Sequence, residues 1–197
     1  MKKLTSTLPN MLLSLTLICC AAALLLAFVF DVTSGPIAES QMNTLLEGIN
    51  KVSPEYDNNP YEEAIEVEIN GGIVKIYPAR KGGELQGVAA ETFTKNGFAG
   101  LIRILVGINN ESNIIDYTVL QHAETPGLGD QMQEWFRVEG TNQSVLGKNL
   151  STPLSVSKDG GEVDAITAAT ISSRAFLDAL NTAQTAVTNA KAEGKLK

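Results

Sequence analysis

The stretch best suited to chemistry is Asp164-Ala165-Ile166-Thr167-Ala168-Ala169-Thr170. It holds two hydroxyls three residues apart behind one carboxylate, with only small or apolar side chains between. A segment of helical character follows at once. Phe176, Leu180, Ala183 and Val187 recur at steps of four, three and four, which puts them on one helix face. Thr170, Ser172 and Ser173 are all N-cap candidates for that helix. Thr170 then stands where free backbone N–H groups and the positive end of a helix dipole converge, a place suited to a phosphate. Ala168 and Ala169 leave a bulky ligand room to approach the backbone. An ordinary turn into a C-terminal helix accounts for the same spacing, and by spacing alone it is the commoner case.

The second such run is His122-Ala123-Glu124-Thr125-Pro126-Gly127-Leu128-Gly129. Thr-Pro-Gly is tight-turn chemistry and needs no ligand to explain it. Gly127 and Gly129 also let backbone N–H groups approach a planar ring or its carbonyls. His122 is the only histidine in the chain, so no second imidazole completes a triad or a metal site. It reads as a strand-end histidine with a structural hydrogen bond, and less readily as a ligand contact or proton relay. No catalytic residue and no metal ligand set is expected. Lys148 lies in a loop before the threonine motif, where a cation can meet a phosphate or simply face solvent. Gly160-Gly161 frees the chain to turn into the motif.

The elements that must position these runs are legible in outline. Ile65, Val67 and Ile69 alternate with Glu66 and Glu68, a strand with one wet face. Asn70-Gly71-Gly72 is a turn, and Ile73 to Tyr77 returns as a hairpin partner ended by Pro78. Leu85 to Phe93 and Leu101 to Ile108 read as strands joined by a turn at Lys95-Asn96-Gly97. Asn109 to Asn113 is a further turn, and Ile114 to Leu120 the strand after it. Gln131 to Phe136 is a short helix with Trp135 and Phe136 inward. The charged tail after Ala190 is expected to fray. Strands followed by a C-terminal helix give an α+β domain with a mainly antiparallel sheet and flanking helices.

Lys2 and Lys3 precede an uncharged run from Leu4 to Phe30 that is nearly all apolar from Met11. About 20 apolar residues is the length of a membrane-crossing helix. Asp31 closes it, so the positive end is expected in the cytoplasm and the domain outside. Ala21 to Ala23 mimic a signal-peptide cleavage site, but the apolar run continues past them, which favours an uncleaved anchor. Ile18 before Cys19 does not suit a lipidation site, and two cysteines in a membrane helix are the plainer reading. Ser34-Gly35-Pro36 looks like the start of a new helix. The expected organisation is residues 1–8 cytoplasmic, 9–30 anchor helix, 31–60 connecting helix and loop, and 61–193 extracytoplasmic domain. With 44% hydrophobic residues and a net charge of -7, the chain is a folded protein and not a nucleic-acid binder.

The two runs together resemble the covalent FMN-binding domain found in the G subunit of the Rnf complex and in the C subunit of the sodium-pumping NADH:quinone reductase. Asp164, Thr167, Ala169 and Thr170 match the family's Asp-x-x-(Ser/Thr)-Gly-Ala-Thr, and Ala168 stands where the pattern usually has glycine. Glu124 to Gly129 match the family's Glu-Thr-Pro-Gly-Leu-Gly throughout. The resemblance implies that Thr170 carries FMN through a phosphoester. It implies that Thr167, Ala168 and Ala169 shape the phosphate pocket, and that Glu124, Thr125, Gly127, Leu128 and Gly129 flank the flavin. Asp164 matches the family's acid, either for recognition by a magnesium-dependent flavin transferase or as a local cap. The implied function is electron transfer within a membrane-bound, ion-translocating ferredoxin:NAD oxidoreductase of the inner membrane. Its partners would be the other subunits and the transferase, and it would not be catalytic alone. The quinone-reductase protein is usually longer, which points to the Rnf type. A membrane-anchored assembly or binding protein without cofactor is the alternative from another class.

Overall fold

The computed structural model describes residues 7–196. The first six residues of the expected cytoplasmic N-terminus, Lys2 and Lys3 among them, lie outside the described ones. The chain divides between Asn43 and Thr44 into two units.

The first unit is helix α1, Leu8–Val52, whose last residues from Thr44 belong to the second unit. One apolar stretch of α1 is long and apolar enough to cross a membrane, and none of it is buried within the protein. Two of its hydroxyls are satisfied locally: Ser14 donates to the Asn10 carbonyl at 2.6 Å and Thr33 to that of Val29 at 2.8 Å. The sequence predicts a new helix at Ser34-Gly35-Pro36, but α1 runs through Pro36 without a break. Proline has a helical φ and forfeits one backbone bond there, which a helix of 45 residues tolerates.

The second unit is built on a five-stranded antiparallel meander in the order β1-β2-β3-β4-β5. The strands are β1 Ile65–Ile69, β2 Gly72–Lys81, β3 Glu84–Gly97, β4 Gly100–Asn109 and β5 Ile114–Gln121. A four-residue helix, α2 (Met132–Trp135), follows, and then α3, Thr170–Ala192. Val74, Ile76, Val88, Ala90, Ile104 and Val106 share one core with Phe176, Leu180, Ala183 and Val187 of α3. The other face of the sheet presents Tyr77, Ala89 and Leu105 to Ile49 and Val52 at the end of α1. Both faces of the central strands are therefore covered, and Val88 to Thr92 form an unbroken buried run instead of alternating. At the sheet edge β1 keeps the wet face that Glu66 and Glu68 announce, and the half of β2 paired with it alternates too, with Ile73 and Lys75 exposed.

Three local expectations change. β2 does not stop at Pro78 but continues to Lys81, because β1 has already ended opposite Ile76. The loop before β1 takes over beyond that point: Asn58 donates to the Pro78 carbonyl and accepts from the Arg80 N–H, each at 2.9 Å. Lys95-Asn96-Gly97 belongs to β3, and the chain reverses at Phe98-Ala99 after an irregularity between Thr94 and Gly97. The tail is also ordered. Gly194 takes φ 69°, the Lys195 N–H returns to the Ala190 carbonyl at 3.0 Å, and Leu196 is buried.

Candidate functional site

The threonine motif is a tight turn locked onto the helix it starts. The Ala169 N–H donates to the Ile166 carbonyl at 3.0 Å. Ser173 closes the turn from within α3, accepting from the Ile166 N–H at 2.9 Å and donating to the Ala169 carbonyl at 3.0 Å. Ile166 and Ala169 are buried, whereas Thr167 and Ala168 are exposed at the tip. Ala168 adopts φ 60°, a left-handed conformation that favours glycine.

None of the three N-cap candidates, Thr170, Ser172 and Ser173, fills that role. Ala169 is the N-cap, with no side-chain cap, and Thr170 is the first residue of α3. Ser173 closes the turn and Ser172 reaches elsewhere. The first N–H groups of the helix therefore keep their capacity for an external acceptor. The half-buried Thr170 stands among them, and its hydroxyl accepts from Lys158 Nζ at 3.1 Å.

Glu124 joins the second motif to the first. The residue is 4% exposed, and one carboxylate oxygen accepts from the Ala99 N–H at 2.9 Å. The other accepts from the hydroxyl of Ser172, in the first turn of α3. A side chain on Gly129 would bring its Cβ to 2.7 Å from that carboxylate, so the second glycine of the loop is there for clearance. Thr125, Gly127 and Leu128 are exposed beside it. The β3–β4 reversal, the Glu124–Gly129 loop and the start of α3 thus meet at one buried carboxylate. An acid this near a helix N-terminus is also favoured by the dipole.

The remaining contacts hold the loop in place. Tyr117 of β5 donates to the Met132 carbonyl at 2.8 Å, and burial pushes its phenol up from the usual range. Phe136 stacks on Phe176 at 4.5 Å between centroids, and Tyr117 meets Phe176 edge-on at 4.9 Å. Trp135 Nε1 donates to the Asp164 carbonyl at 2.9 Å, tying α2 to the threonine motif.

Asp164 turns its carboxylate to the Ser157 hydroxyl at 2.8 Å. His122 makes the structural hydrogen bond expected of it, accepting from the Glu124 N–H through Nδ1 at 3.3 Å; its Nε2 lies 3.3 Å from the Gln133 amide. Lys148 pairs with Glu162 at 3.6 Å. The lysine at the threonine is Lys158, in the 3-10 turn Ser157–Asp159, which sequence reading missed. Its signal was its place in Ser157-Lys158-Asp159 just ahead of Gly160-Gly161, but reach across twelve residues is not a periodicity.

The arrangement suits a phosphorylated flavin. A helix start without a side-chain cap, a threonine hydroxyl and an ammonium group answer to a phosphate. The exposed glycine-bearing loop, with the apolar side chains of Leu128 and Ile171 in solvent, answers to a flat ring. Among the described residues no cluster of side chains can hold a metal ion.

A family model described as FMN-binding domain matches residues 97–185, which run from the end of β3 into α3. The chain is 33% identical over 189 residues to the G subunit of the ion-translocating oxidoreductase complex of Aliivibrio fischeri, covering 90% of this chain and 89% of that protein. The protein of the same name from Cereibacter sphaeroides is 34% identical over 87% of this chain and 80% of its own length. That of Haemophilus influenzae is 37% identical over 75% and 72% respectively. With an identity above 30% along nearly the whole of both chains, this protein belongs to the family of G subunits of ion-translocating oxidoreductase complexes.

Proposed function

We propose that this chain is an electron-transfer subunit of an Rnf-type ion-translocating oxidoreductase complex, with FMN as its cofactor, held through a phosphoester to Thr170. The observation that carries the reading is the convergence on the first turn of α3. Thr170 stands there with Lys158 on its hydroxyl, and Ser172 is joined through Glu124 to the Glu-Thr-Pro-Gly-Leu-Gly loop, which is exposed from Thr125 to Leu128. The flavin accepts and passes on electrons, while the protein fixes its position and electrostatic surroundings. Thr167 and Ala168, exposed at the tip of the motif turn, border the phosphate. Gly127 and Leu128 border the ring, and Glu124 and Gly129 hold their loop in place. Asp164 acts on the protein side of the site, through Ser157.

Residues 9–30 anchor the protein as a single membrane-crossing helix, and the domain, 61–193 together with the end of α1 and the tail packed into its cores, lies on the extracytoplasmic side. The other subunits of the complex are its partners, and a flavin transferase makes the attachment. A covalent bond suits that compartment, where a dissociated flavin would be lost by diffusion. The test is intact-mass analysis under denaturing conditions of protein from its native membrane, beside Thr170→Ala. The expected result is the added mass of one FMN less one water, absent from the variant. An unmodified wild-type chain from cells that contain a flavin transferase overturns the covalent assignment.

A further inference from the structure

We propose that Ser157-Lys158-Asp159 is a bracket that delivers one ammonium group to Thr170, and that Lys158 is the counter-cation of a phosphodiester formed there. The inference rests on Thr170 as the attachment residue and adds the group that holds the resulting anion. Each of the three residues has a partner on the threonine motif or on α3. Ser157 donates to Asp164 at 2.8 Å. Lys158 donates to the Thr170 hydroxyl at 3.1 Å. Asp159 takes Arg174 in a fork, Nε and one terminal nitrogen each at 2.7 Å from a separate carboxylate oxygen. That hydrogen-bonded guanidinium holds the Asp159 carboxyl below its ordinary value. The turn is also closed on itself, through the Asp159 N–H to the Val156 carbonyl at 2.8 Å and Gly160 at φ 85°.

The charges divide accordingly. Arg174 is satisfied by Asp159, and Lys148 by Glu162. Among the described residues Lys158 pairs with no carboxylate, and its partner is a neutral hydroxyl. A phosphodiester at Thr170 carries one negative charge, shared by its two non-bridging oxygens. Those oxygens sit on the phosphorus bonded to the atom that Lys158 already touches. A lysine suits this task, because a diester offers a compact charge that an ammonium meets from several directions. Asp164 is then a positioning residue: it fixes the bracket, and the bracket places Lys158.

The test compares wild type, Lys158→Met and Lys158→Arg as full-length chains in detergent. Intact mass gives the fraction carrying FMN, and 31P NMR gives the environment of the diester. The expected result is a diester resonance in Lys158→Met displaced from wild type in the folded protein, with the two coinciding in denaturant. Loading at a fixed time should fall about tenfold in Lys158→Met, as expected for loss of a hydrogen bond to a charged group. Lys158→Arg keeps the cation and should load nearly as wild type. Coincident 31P resonances in folded wild type and Lys158→Met overturn the proposal, as does loading in Lys158→Arg as poor as in Lys158→Met. Wild-type protein with no added mass on Thr170 refutes the attachment reading instead, and that result is told apart before any variant is compared.

Discussion

Ala168 holds φ 60° at the exposed tip of the motif turn, a conformation that costs an L-residue with a Cβ. Glycine there removes the strain but adds freedom to the unfolded chain, and the first effect is the larger. Ala168→Gly is therefore expected to stabilise the domain by about 0.5–1 kcal/mol, read as a rise in thermal midpoint of about 1–4 °C. Glu124 behaves oppositely. Its buried carboxylate satisfies the Ala99 N–H and the Ser172 hydroxyl, so Glu124→Ala strands two polar groups and opens a void. A loss of about 3 kcal/mol is expected by chemical denaturation, with a smaller loss for Glu124→Gln, which can still accept one bond. A neutral result for Glu124→Ala would mean that the loop and α3 are not joined through this carboxylate.

At the scale of elements, β4 is the place where a small change should travel furthest. Gly107 faces the end of α1 so closely that an added Cβ would fall inside the contact radius of the Val52 carbonyl oxygen. The obstruction is backbone and cannot rotate away. Gly107→Ala should push the end of α1 off Tyr77, Ala89 and Leu105, at a cost of about 1–3 kcal/mol. Hydrogen exchange is the direct check: amides of residues 45–52 should lose protection while those of α3, on the opposite face of the sheet, keep theirs. Equal loss in both places would show that the two cores unfold as one.

For the whole molecule, the division after Asn43 leaves the second unit with its sheet, α3 and both hydrophobic clusters complete. A chain beginning at Thr44 is expected to be soluble, to unfold cooperatively, and to place Thr170 as the full chain does. Thermal unfolding followed by circular dichroism, with size-exclusion chromatography in the absence of detergent, checks this. Aggregation of that shortened chain would show that the domain needs the first part of α1 in order to fold.

The long apolar helix, the edge strand β1, the helical face of α3 and the turns of both glycine- and threonine-bearing runs were legible in the sequence, because each is written in local periodicity or in contiguous residue types. An apolar run has a length, a one-sided helix has a repeat, and a glycine-bearing turn has a composition. The tertiary structure decided what those signals omit. Thr170 is the first helical residue and not the cap, because Ser172 and Ser173 are drawn away by Glu124 and by the turn at Ile166. The cation at the threonine is Lys158 and not Lys148, because Arg174 and Asp164 hold the Ser157–Asp159 turn in place while Glu162 pairs with Lys148. Pro78 stays in its strand because β1 has ended before it. In each case the deciding partner lies on another element. A chain read one residue at a time carries no record of which distant groups will compete for the same hydrogen bond.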